Sequence, residues 1–417
     1  MIELIKILQG EFQEKDFSGS IPREVDIRSL SGRVSVLMGM RRVGKTYCLH
    51  QCIDRLLKKG ISKTRILYIN FEDERLLPCD AMMFGQLVES FFTLYPENHD
   101  QRCYLFFDEI QNIDHWPVVI RRLLDQKNIE ITITGSSAKM LSKEIATSLR
   151  GRAVATEIWP FSFHEFLQAQ GEEFPGKVLG PKKRDHYLQQ FQNYLRTGGF
   201  PEVVMTEGEH HKIILQDYVN TVVYRDIVER HGVTNLTLLK QFIRTLLKST
   251  GARLAIQKTF RDFKSQGYAV SKNTLHSYLE MIEDAYLCFA VPLFTDSIRK
   301  QNVNPRKIYT IDTGLVLANT LQFSDQYGAL FENLIYLDLR RQGCEVYYFQ
   351  MEDQIESDFV ASFPDGRKEA FQVCFNLGEK TTLQREKRGA LAAQSKLKIK
   401  STIVDPLSYI TQEWVKG

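Results

Sequence analysis

The residues best suited to chemistry form a short glycine-rich stretch near the N-terminus. In order they are Gly39, Met40, Arg41, Arg42, Val43, Gly44, Lys45 and Thr46, which fit the pattern G-x-x-x-x-G-K-[ST] of a phosphate-binding loop. The glycines let the backbone wrap around phosphate groups, and the loop amides and the N-terminus of a following helix donate hydrogen bonds to an anion. We expect Lys45 to pair with the β- and γ-phosphate oxygens of ATP, and the Thr46 hydroxyl to ligate Mg²⁺.

An acidic pair at the end of an apolar segment supplies further candidates. The segment CYLFFDEI, at residues 103–110, places Asp108 and Glu109 directly after four apolar or aromatic side chains. Beside a phosphate loop, the aspartate can hold Mg²⁺ through water, and the glutamate can orient and deprotonate the attacking water. By themselves the carboxylates would be interpreted as solvated groups at a strand terminus. Together with the loop they favour hydrolysis of ATP over nucleotide storage, because binding alone needs no base.

Polar residues near the ends of two later segments are candidates as well. Thr134 lies near the end of IEITITG (residues 129–135), where its hydroxyl would lie close to a γ-phosphate. Arg150 and Arg152 precede the segment AVATEIW, at residues 153–159. Two interpretations of these arginines are open. A guanidinium here can neutralise transition-state charge at the γ-phosphate of a neighbouring subunit, or the arginines can be cations that face the macrodipole at a helix C-terminus.

Alternating apolar and helical segments form the scaffold that must position these residues. Five short apolar runs alternate with helix-like patterns as far as residue 159: VSVLMG at 34–39, ILYINF at 66–71 and the three segments given above. Continuous apolar runs, rather than runs of alternating polarity, are typical of strands buried on both faces of a parallel sheet. We therefore predict an α/β fold of the P-loop NTPase class with a five-stranded parallel core sheet.

Length and composition limit the class of protein. The 417 residues exceed what one core usually holds, and contents of 43% hydrophobic and 25% charged residues are ordinary for a folded chain. The net charge of +3 creates no global field for nucleic acid. The longest apolar run, residues 285–294, is about half of a membrane span, the N-terminus does not read as a signal peptide, and the seven cysteines do not describe a disulfide scaffold. We expect a cytoplasmic, multidomain protein without a membrane partner.

A helical region and a basic hairpin follow the predicted core. Two helical stretches, AIQKTFRDFKSQG and SKNTLHSYLEMIEDA, precede two strands. This is the order of a winged helix-turn-helix, which either places its second helix in a DNA groove or binds another protein, and both alternatives are open. Four basic residues of the hairpin are candidate phosphate contacts, unless they belong to a solvated loop: Arg299, Lys300, Arg306 and Lys307.

The C-terminal region reads as a smaller α/β unit and resembles the PD-(D/E)xK nuclease fold. Its predicted order is a helix, three strands, a helix at 382–394 and a last strand. Such nucleases need carboxylates to hold Mg²⁺ and a lysine to position water, and Glu332 and Asp358 stand at acidic positions. Gln372 and Cys374 replace the carboxylate and the lysine of the D/E-x-K motif. We therefore predict a degenerate site with no, or very weak, nuclease activity.

Five motifs together resemble those of one ATPase family. The chain is similar to the archaeal-type AAA+ ATPases, which lie close to the STAND signalling NTPases, in GMRRVGKT, FFDEIQ, TGSSAKMLSKEIATSLRGRA, PFSFHEF and GGFPE. The resemblance extends over nearly the whole chain, because that family typically carries a helical lid, a winged helix and a C-terminal nuclease-like domain. It implies an ATPase core at 1–160, a lid at 161–235, a winged helix at 236–320 and a nuclease-like domain at 321–417.

The resemblance also implies roles for individual residues. Thr134 matches the sensor position, and Arg150 or Arg152 matches the arginine-finger position. Asn70 is a candidate switch partner for Glu109. A turn of the predicted lid resembles the turn with which such lids contact the nucleotide, which makes Pro201 a nucleotide-binding candidate; this turn is Gly199-Phe200-Pro201.

The family implies a Mg²⁺-dependent ATPase that is active between copies of itself, often in rings. Two functions of different class fit this description. One is a motor that couples ATP hydrolysis to DNA binding or processing through the C-terminal domains. The other is a STAND-like switch, in which the bound nucleotide controls association with a protein partner. The winged helix and the nuclease-like region favour DNA, whereas the near-neutral net charge favours the switch.

Overall fold

The chain folds into two compact units. The computed structural model describes residues 1–27, 30, 32–126, 128–136, 149, 151–320, 327–351, 356–376 and 380–414, without the side chains of 380–388. The units are Met1–Ile158 and Trp159–Gly417. The predicted division of residues 161–417 into a lid, a winged helix and a nuclease-like domain stays a prediction.

A five-stranded parallel sheet forms the centre of the first unit. Its strands are β1 (Val34–Met38), β2 (Ile66–Asn70), β3 (Cys103–Asp108), β4 (Ile129–Gly135) and β5 (Ala153–Glu157). The order is β2-β3-β4-β1-β5, and all neighbours run parallel. Every residue of β1 is buried, as its mostly apolar sequence predicts. The predicted α/β fold with five parallel strands is confirmed.

Helices of the first unit bury their apolar sides against this sheet and one another. The helix Ala81–Leu94 buries Phe84 and Phe91, and it begins at Asp80, whose carboxylate accepts an N–H of the first turn. The described helices are Ile2–Glu14, Lys45–Lys58, Ala81–Leu94 and Trp116–Leu124, with short 3-10 segments at Lys63–Arg65, Glu74–Leu76, Pro96–His99 and Ile110–Asn112.

The second unit begins with helices and continues with two small sheets. Its described helices are Phe163–Ala169, Pro181–Thr197, Pro201–Val204, His211–Thr221, Leu236–Lys248, Ile256–Ser265, Lys272–Asp284, Ile298–Val303, Thr313–Asn319, Tyr327–Arg341, Lys380–Leu397 and Pro406–Ile410, with a 3-10 segment at Gly208–His210 and a π-helix at Val222–Glu229. Within the described ranges, no helix is long and apolar enough to cross a membrane.

The two sheets of the second unit are joined along one edge. The first contains β6 (Arg253–Leu254), β7 (Cys288–Val291) and β8 (Arg306–Thr310), in the antiparallel order β6-β8-β7. The second contains β9 (Glu345–Gln350), β10 (Glu356–Ser362), β11 (Lys368–Val373) and β12 (Lys400–Val404), in the order β12-β11-β10-β9. Beyond β7, the N–H of Phe294 donates to the carbonyl of Tyr348 in β9 at 2.7 Å. The hairpin of the first sheet therefore continues onto the edge of the second.

Candidate functional site

The glycine-rich loop connects β1 to the helix Lys45–Lys58. A β-carbon added to Gly39 would lie 2.2 Å from the carbonyl oxygen of Ile158, so that no side chain fits there. Gly44 takes a left-handed conformation, with φ of 97°, immediately before the helix; glycine adopts this region without a steric penalty. The two glycines thus let the loop turn tightly into a helix N-terminus, where backbone amides can bind an anion.

Lys45 is held at the centre of this loop by oxygen contacts. Its side chain is 4% exposed, and Nζ donates to the carbonyl oxygens of Gly39 and Met40 at 3.2 Å each. Nζ also lies 3.4 Å from Oε1 of Glu109. Because a lysine ammonium carries three donors, phosphate oxygens that enter the loop must compete with these oxygens for the lysine.

Asp108 is the centre of a hydrogen-bond network at the end of β3. Its Oδ2 accepts from the hydroxyls of Thr46 at 2.7 Å and Tyr68 at 3.1 Å, and its Oδ1 accepts from the hydroxyl of Thr134 at 2.5 Å. Burial raises the pKa of Asp108, although the hydroxyls of Thr134 and Thr46 oppose this effect. A threonine hydroxyl and a carboxylate are oxygen ligands of the type that Mg²⁺ prefers. Thr46 and Asp108 therefore fit the metal expected beside a phosphate loop.

Glu109 follows Asp108 in an unusual backbone conformation. Its φ of 52° is left-handed, which is uncommon for residues other than glycine and occurs at functional sites. Its N–H donates to the hydroxyl of Thr134 at 2.9 Å, and its Oε2 accepts from Nε2 of Gln111 at 2.5 Å. Burial favours the neutral acid, but Lys45, the Gln111 amide and Arg41 outweigh it, so that the pKa of Glu109 lies below its ordinary value. Glu109 is thus a buried, ionised carboxylate that can accept a proton.

Gln111 and Arg23 contact the site, although the sequence analysis assigns a role to neither of them. Besides binding Glu109, Nε2 of Gln111 lies 3.4 Å from the hydroxyl of Ser136, and among the described residues its Oε1 is buried without a hydrogen-bond partner. The guanidinium of Arg23 donates to the carbonyl of Val43 in the loop at 2.9 Å. Gln111 is the last residue of the motif FFDEIQ, which is the signal for it in the sequence, whereas no local pattern links Arg23 to the loop.

Asn70 lies beside the acidic pair but has a different local partner. It ends β2 and is aligned with Asp108 at the end of β3. Its Oδ1 accepts the N–H of Glu72 at 3.0 Å. The side-chain amide that contacts Glu109 is that of Gln111, so the predicted switch pairing of Asn70 with Glu109 stays a prediction for another state of the protein.

Of the two candidate finger arginines, Arg152 lies within the described residues. Arg152 pairs with Asp125 at 2.8 Å, and its side chain is 37% exposed. An exposed ion pair of this kind contributes about 0–1 kcal/mol, so Arg152 can leave Asp125 at little cost. Arg150 lies outside the described residues. The predicted finger role stays a prediction for both arginines.

The predicted lid turn of the second unit is fixed by a buried aspartate. The N–H of Gly199 donates to Oδ2 of Asp312 at 2.6 Å. A β-carbon at Gly199 would lie 2.3 Å from the carbonyl oxygen of Phe161, so that only glycine fits. Pro201 begins the short helix Pro201–Val204, and its contact with a nucleotide stays a prediction.

The two acidic residues of the predicted degenerate nuclease site converge on a lysine. Glu332 and Asp358 each have a carboxylate oxygen 3.0 Å from Nζ of Lys307. Nε2 of Gln372 donates to the other oxygen of Asp358 at 2.7 Å. Cys374 is buried at the end of β11. The amide at position 372 therefore binds the neighbouring acid instead of supplying a charged ligand.

The four basic residues of the predicted hairpin fall into two groups. Arg299 and Lys300 are exposed on the short helix Ile298–Val303, and Arg306 is half-buried at the start of β8. Lys307 is only 4% exposed. The prediction that Lys307 contacts nucleic-acid phosphate is therefore wrong, because its side chain is buried and carboxylates already hold its ammonium.

Comparison with protein families agrees with the fold of the first unit. Residues 31–167 match the model of an AAA domain. Residues 188–326 match a domain of unknown function (DUF8612). The AAA match contains the glycine-rich loop, the acidic pair and all five strands of the parallel sheet.

Two curated proteins are similar over most of their length. The uncharacterized protein MJ1544 of Methanocaldococcus jannaschii is 35% identical over 393 residues, which cover 93% of this chain and 85% of that protein. An uncharacterized protein of Haemophilus influenzae is 31% identical, with 84% of each chain covered.

Solved structures show lower similarity. A Walker-type ATPase of Pyrococcus abyssi has a TM-score of 0.47 at 12% identity, covering 69% of this chain and 91% of that chain. The Orc1 protein of Aeropyrum pernix, solved in complex with DNA, has a TM-score of 0.28 at 13% identity, covering 81% and 92%. The similarity to MJ1544 shows the family: this chain belongs to the same family as MJ1544 and contains an AAA domain at residues 31–167.

Proposed function

We propose that this protein is a Mg²⁺-dependent ATPase whose chemistry is carried by Lys45, Thr46, Asp108 and Glu109. One observation carries the proposal: the buried Glu109 carboxylate lies 3.4 Å from the lysine of the phosphate loop. A base for water and oxygen ligands for a metal, the two elements that hydrolysis of a phosphoanhydride needs, therefore lie in one place.

Each residue of this cluster has a separate task in the proposed reaction. The loop amides and Lys45 bind the β- and γ-phosphates, while Thr46 and Asp108 hold Mg²⁺, which neutralises phosphate charge when bound. As the Lys45 ammonium moves to the phosphates, its contact with Glu109 weakens. The carboxylate is then free to take a proton from the water whose oxygen bonds to the γ-phosphorus, while the bond from that phosphorus to the β–γ bridging oxygen breaks and ADP leaves.

Two substitutions separate binding from hydrolysis. Lys45→Ala should abolish ATP binding, because it removes the cation that faces the phosphates. Glu109→Gln should bind ATP and hydrolyse it about 10²- to 10⁴-fold more slowly, because the amide cannot accept a proton. Binding of a fluorescent ATP analogue and release of inorganic phosphate measure the two effects.

Lys58→Ala is the matched control, since this lysine is exposed at the other end of the same helix. It should leave both binding and turnover unchanged. Loss of ATP binding in Glu109→Gln, or normal turnover in that variant, would contradict the assigned role of the base.

We further propose that ATP hydrolysis is coupled to DNA through the second unit. Its exposed cations Arg299 and Lys300 follow the helix pair Ile256–Ser265 and Lys272–Asp284, and exposed cations near such a helix pair are suited to contact phosphates. The alternative is a nucleotide-gated switch for a protein partner. The near-neutral net charge of +3 favours the switch, because it creates no global field for nucleic acid.

Turnover of ATP with duplex, single-stranded or four-way-junction DNA distinguishes the two functions. Stimulation of several-fold, lost in a variant with Arg299→Ala and Lys300→Ala, supports the coupling to DNA. A variant with Lys182→Ala and Lys183→Ala, two exposed lysines of the helix Pro181–Thr197, controls for the loss of charge. Slow turnover that no DNA changes supports the switch.

A further inference from the structure

Charged side chains from three elements of the second unit meet at one buried point. Lys307 comes from β8, Glu332 from the helix Tyr327–Arg341, and Glu356 and Asp358 from β10. The lysine Nζ lies 2.7 Å from Oε1 of Glu356 and 3.0 Å from oxygens of Glu332 and Asp358. One ammonium thus holds three carboxylates that come from two elements, a helix and β10.

All three hydrogen-bond donors of the Lys307 ammonium are occupied. A lysine ammonium has three donors and no acceptor, and each of the three carboxylates takes one donor. The hydroxyl of Tyr309 also donates to Glu332 Oε1 at 2.6 Å. No donor of Lys307 remains to position a water molecule, as a catalytic lysine of a nuclease must.

The remaining oxygen of Asp358 is filled by protein donors as well. Its Oδ2 accepts from the side chain of Gln372 at 2.7 Å and from the N–H of Val373 at 2.9 Å. Since Oδ1 accepts from Lys307 at 3.0 Å, neither oxygen of Asp358 is left for a metal while the lysine is in place. In the part of the chain that the structure describes, no group of three or more His, Cys, Asp or Glu residues is arranged to hold a metal ion. The metal that a nuclease-like fold implies does not fit this site.

We propose that Lys307 is the resident cation of this cluster. Its ammonium takes the place that a divalent metal ion takes in an active nuclease site. Its ion pairs also connect β8 to β10 of the second sheet. The cost of burying a lysine is offset because the three carboxylates surround it. The acidic residues of the nuclease-like region thus serve to hold two sheets together rather than to cut nucleic acid.

The proposal predicts that removal of the lysine creates a metal site. Lys307→Met keeps the length of the side chain but leaves Glu332, Glu356 and Asp358 without their cation, and clustered carboxylates bind divalent ions. Titration of the nucleotide-free protein with Mn²⁺, followed by electron paramagnetic resonance of the free ion, counts the bound ions. The Lys307→Met protein should bind one more Mn²⁺ than the unsubstituted protein, and adding Asp358→Asn should abolish this gain.

Two control comparisons separate Mn²⁺ binding at this cluster from Mn²⁺ binding elsewhere and from a failure of the variant to fold. Lys300→Met removes an exposed lysine of the same hairpin and should bind as many ions as the unsubstituted protein; none of these changes touches the phosphate loop. If Lys307→Met does not fold, the unsubstituted protein is compared with the variant Asp358→Asn instead. The proposal requires these two proteins to bind the same number of Mn²⁺ ions.

Three outcomes would overturn the proposal. The first is a folded Lys307→Met protein that gains no ion. The second is Mn²⁺ binding by the unsubstituted protein that Asp358→Asn weakens. The third is Mn²⁺-dependent cleavage of DNA by the unsubstituted protein that Lys307→Met abolishes, since Lys307 would then be catalytic. None of these measurements involves ATP, so they succeed or fail independently of the proposed ATPase.

Discussion

At the scale of single residues, the charge of Glu109 depends on its neighbours. Gln111→Ala removes a hydrogen bond to a charged group, which is worth about 1.5–3 kcal/mol. The pKa of Glu109 should therefore rise, because the Gln111 amide is one of the groups that lower it. We expect kcat to fall about tenfold or more, and the acidic limb of its pH profile to move to higher pH. Steady-state phosphate release from about pH 5 to about pH 9 measures both effects.

The same experiment distinguishes a positioning role from a structural one. Gln126→Ala removes an exposed glutamine of the first unit and should leave the profile unchanged. If Gln111→Ala raises KM while kcat and the acidic limb stay as they were, Gln111 contributes to binding and does not orient the base.

At the scale of elements, the loop after β1 requires a residue without a β-carbon. Gly39→Ala would place its methyl group 2.2 Å from the carbonyl of Ile158, so that the loop or the end of β5 must move. We expect ATP binding to be lost and the midpoint of thermal unfolding to fall. Gly10→Ala is the control, since a β-carbon added at that position of the first helix would meet nothing within 4 Å apart from the helix's own backbone and alanine favours a helix by about 1 kcal/mol. Normal ATP binding by Gly39→Ala would show that the loop can adjust.

The turn at Gly199 should make stability depend on pH. Burial raises the pKa of Asp312 from 3.8 to about 6, although N–H groups that include those of Gly199 and Leu315 oppose this effect. The folded state thus binds the proton more tightly, and the resulting stability is present below about pH 4 and is lost as the pH rises through about 6. As the pH rises between these two values, the free energy of unfolding of the protein should fall by about 3 kcal/mol relative to that of the variant Asp312→Asn, which cannot titrate. Urea unfolding of both proteins measures this difference, and parallel pH curves would contradict it.

Strands and loops could be predicted from the sequence where neighbouring residues determine them. The strands of the parallel sheet follow from their apolar runs, and the loop from the spacing of Gly39, Gly44 and Lys45. The burial of Lys307 could not be predicted from the sequence, because β8 alone has the pattern of the basic edge of a hairpin. The carboxylates that bury it lie 25 and 51 residues further on, for Glu332 and Asp358, and only the tertiary fold brings them to the lysine.

At the scale of the whole molecule, the assembly of copies that the family resemblance implies would place the finger arginines at a neighbour's nucleotide. If so, a variant with Arg150→Ala and Arg152→Ala and the variant Glu109→Gln should each be nearly inactive and should restore activity when mixed. A site with an intact Glu109 then meets an intact arginine in about a quarter of the interfaces of a random equal mixture. Phosphate release by the mixture, against Arg184→Ala as an exposed-arginine control, measures the gain. No gain in mixtures whose subunits demonstrably exchange would place the arginines within one chain or outside the reaction.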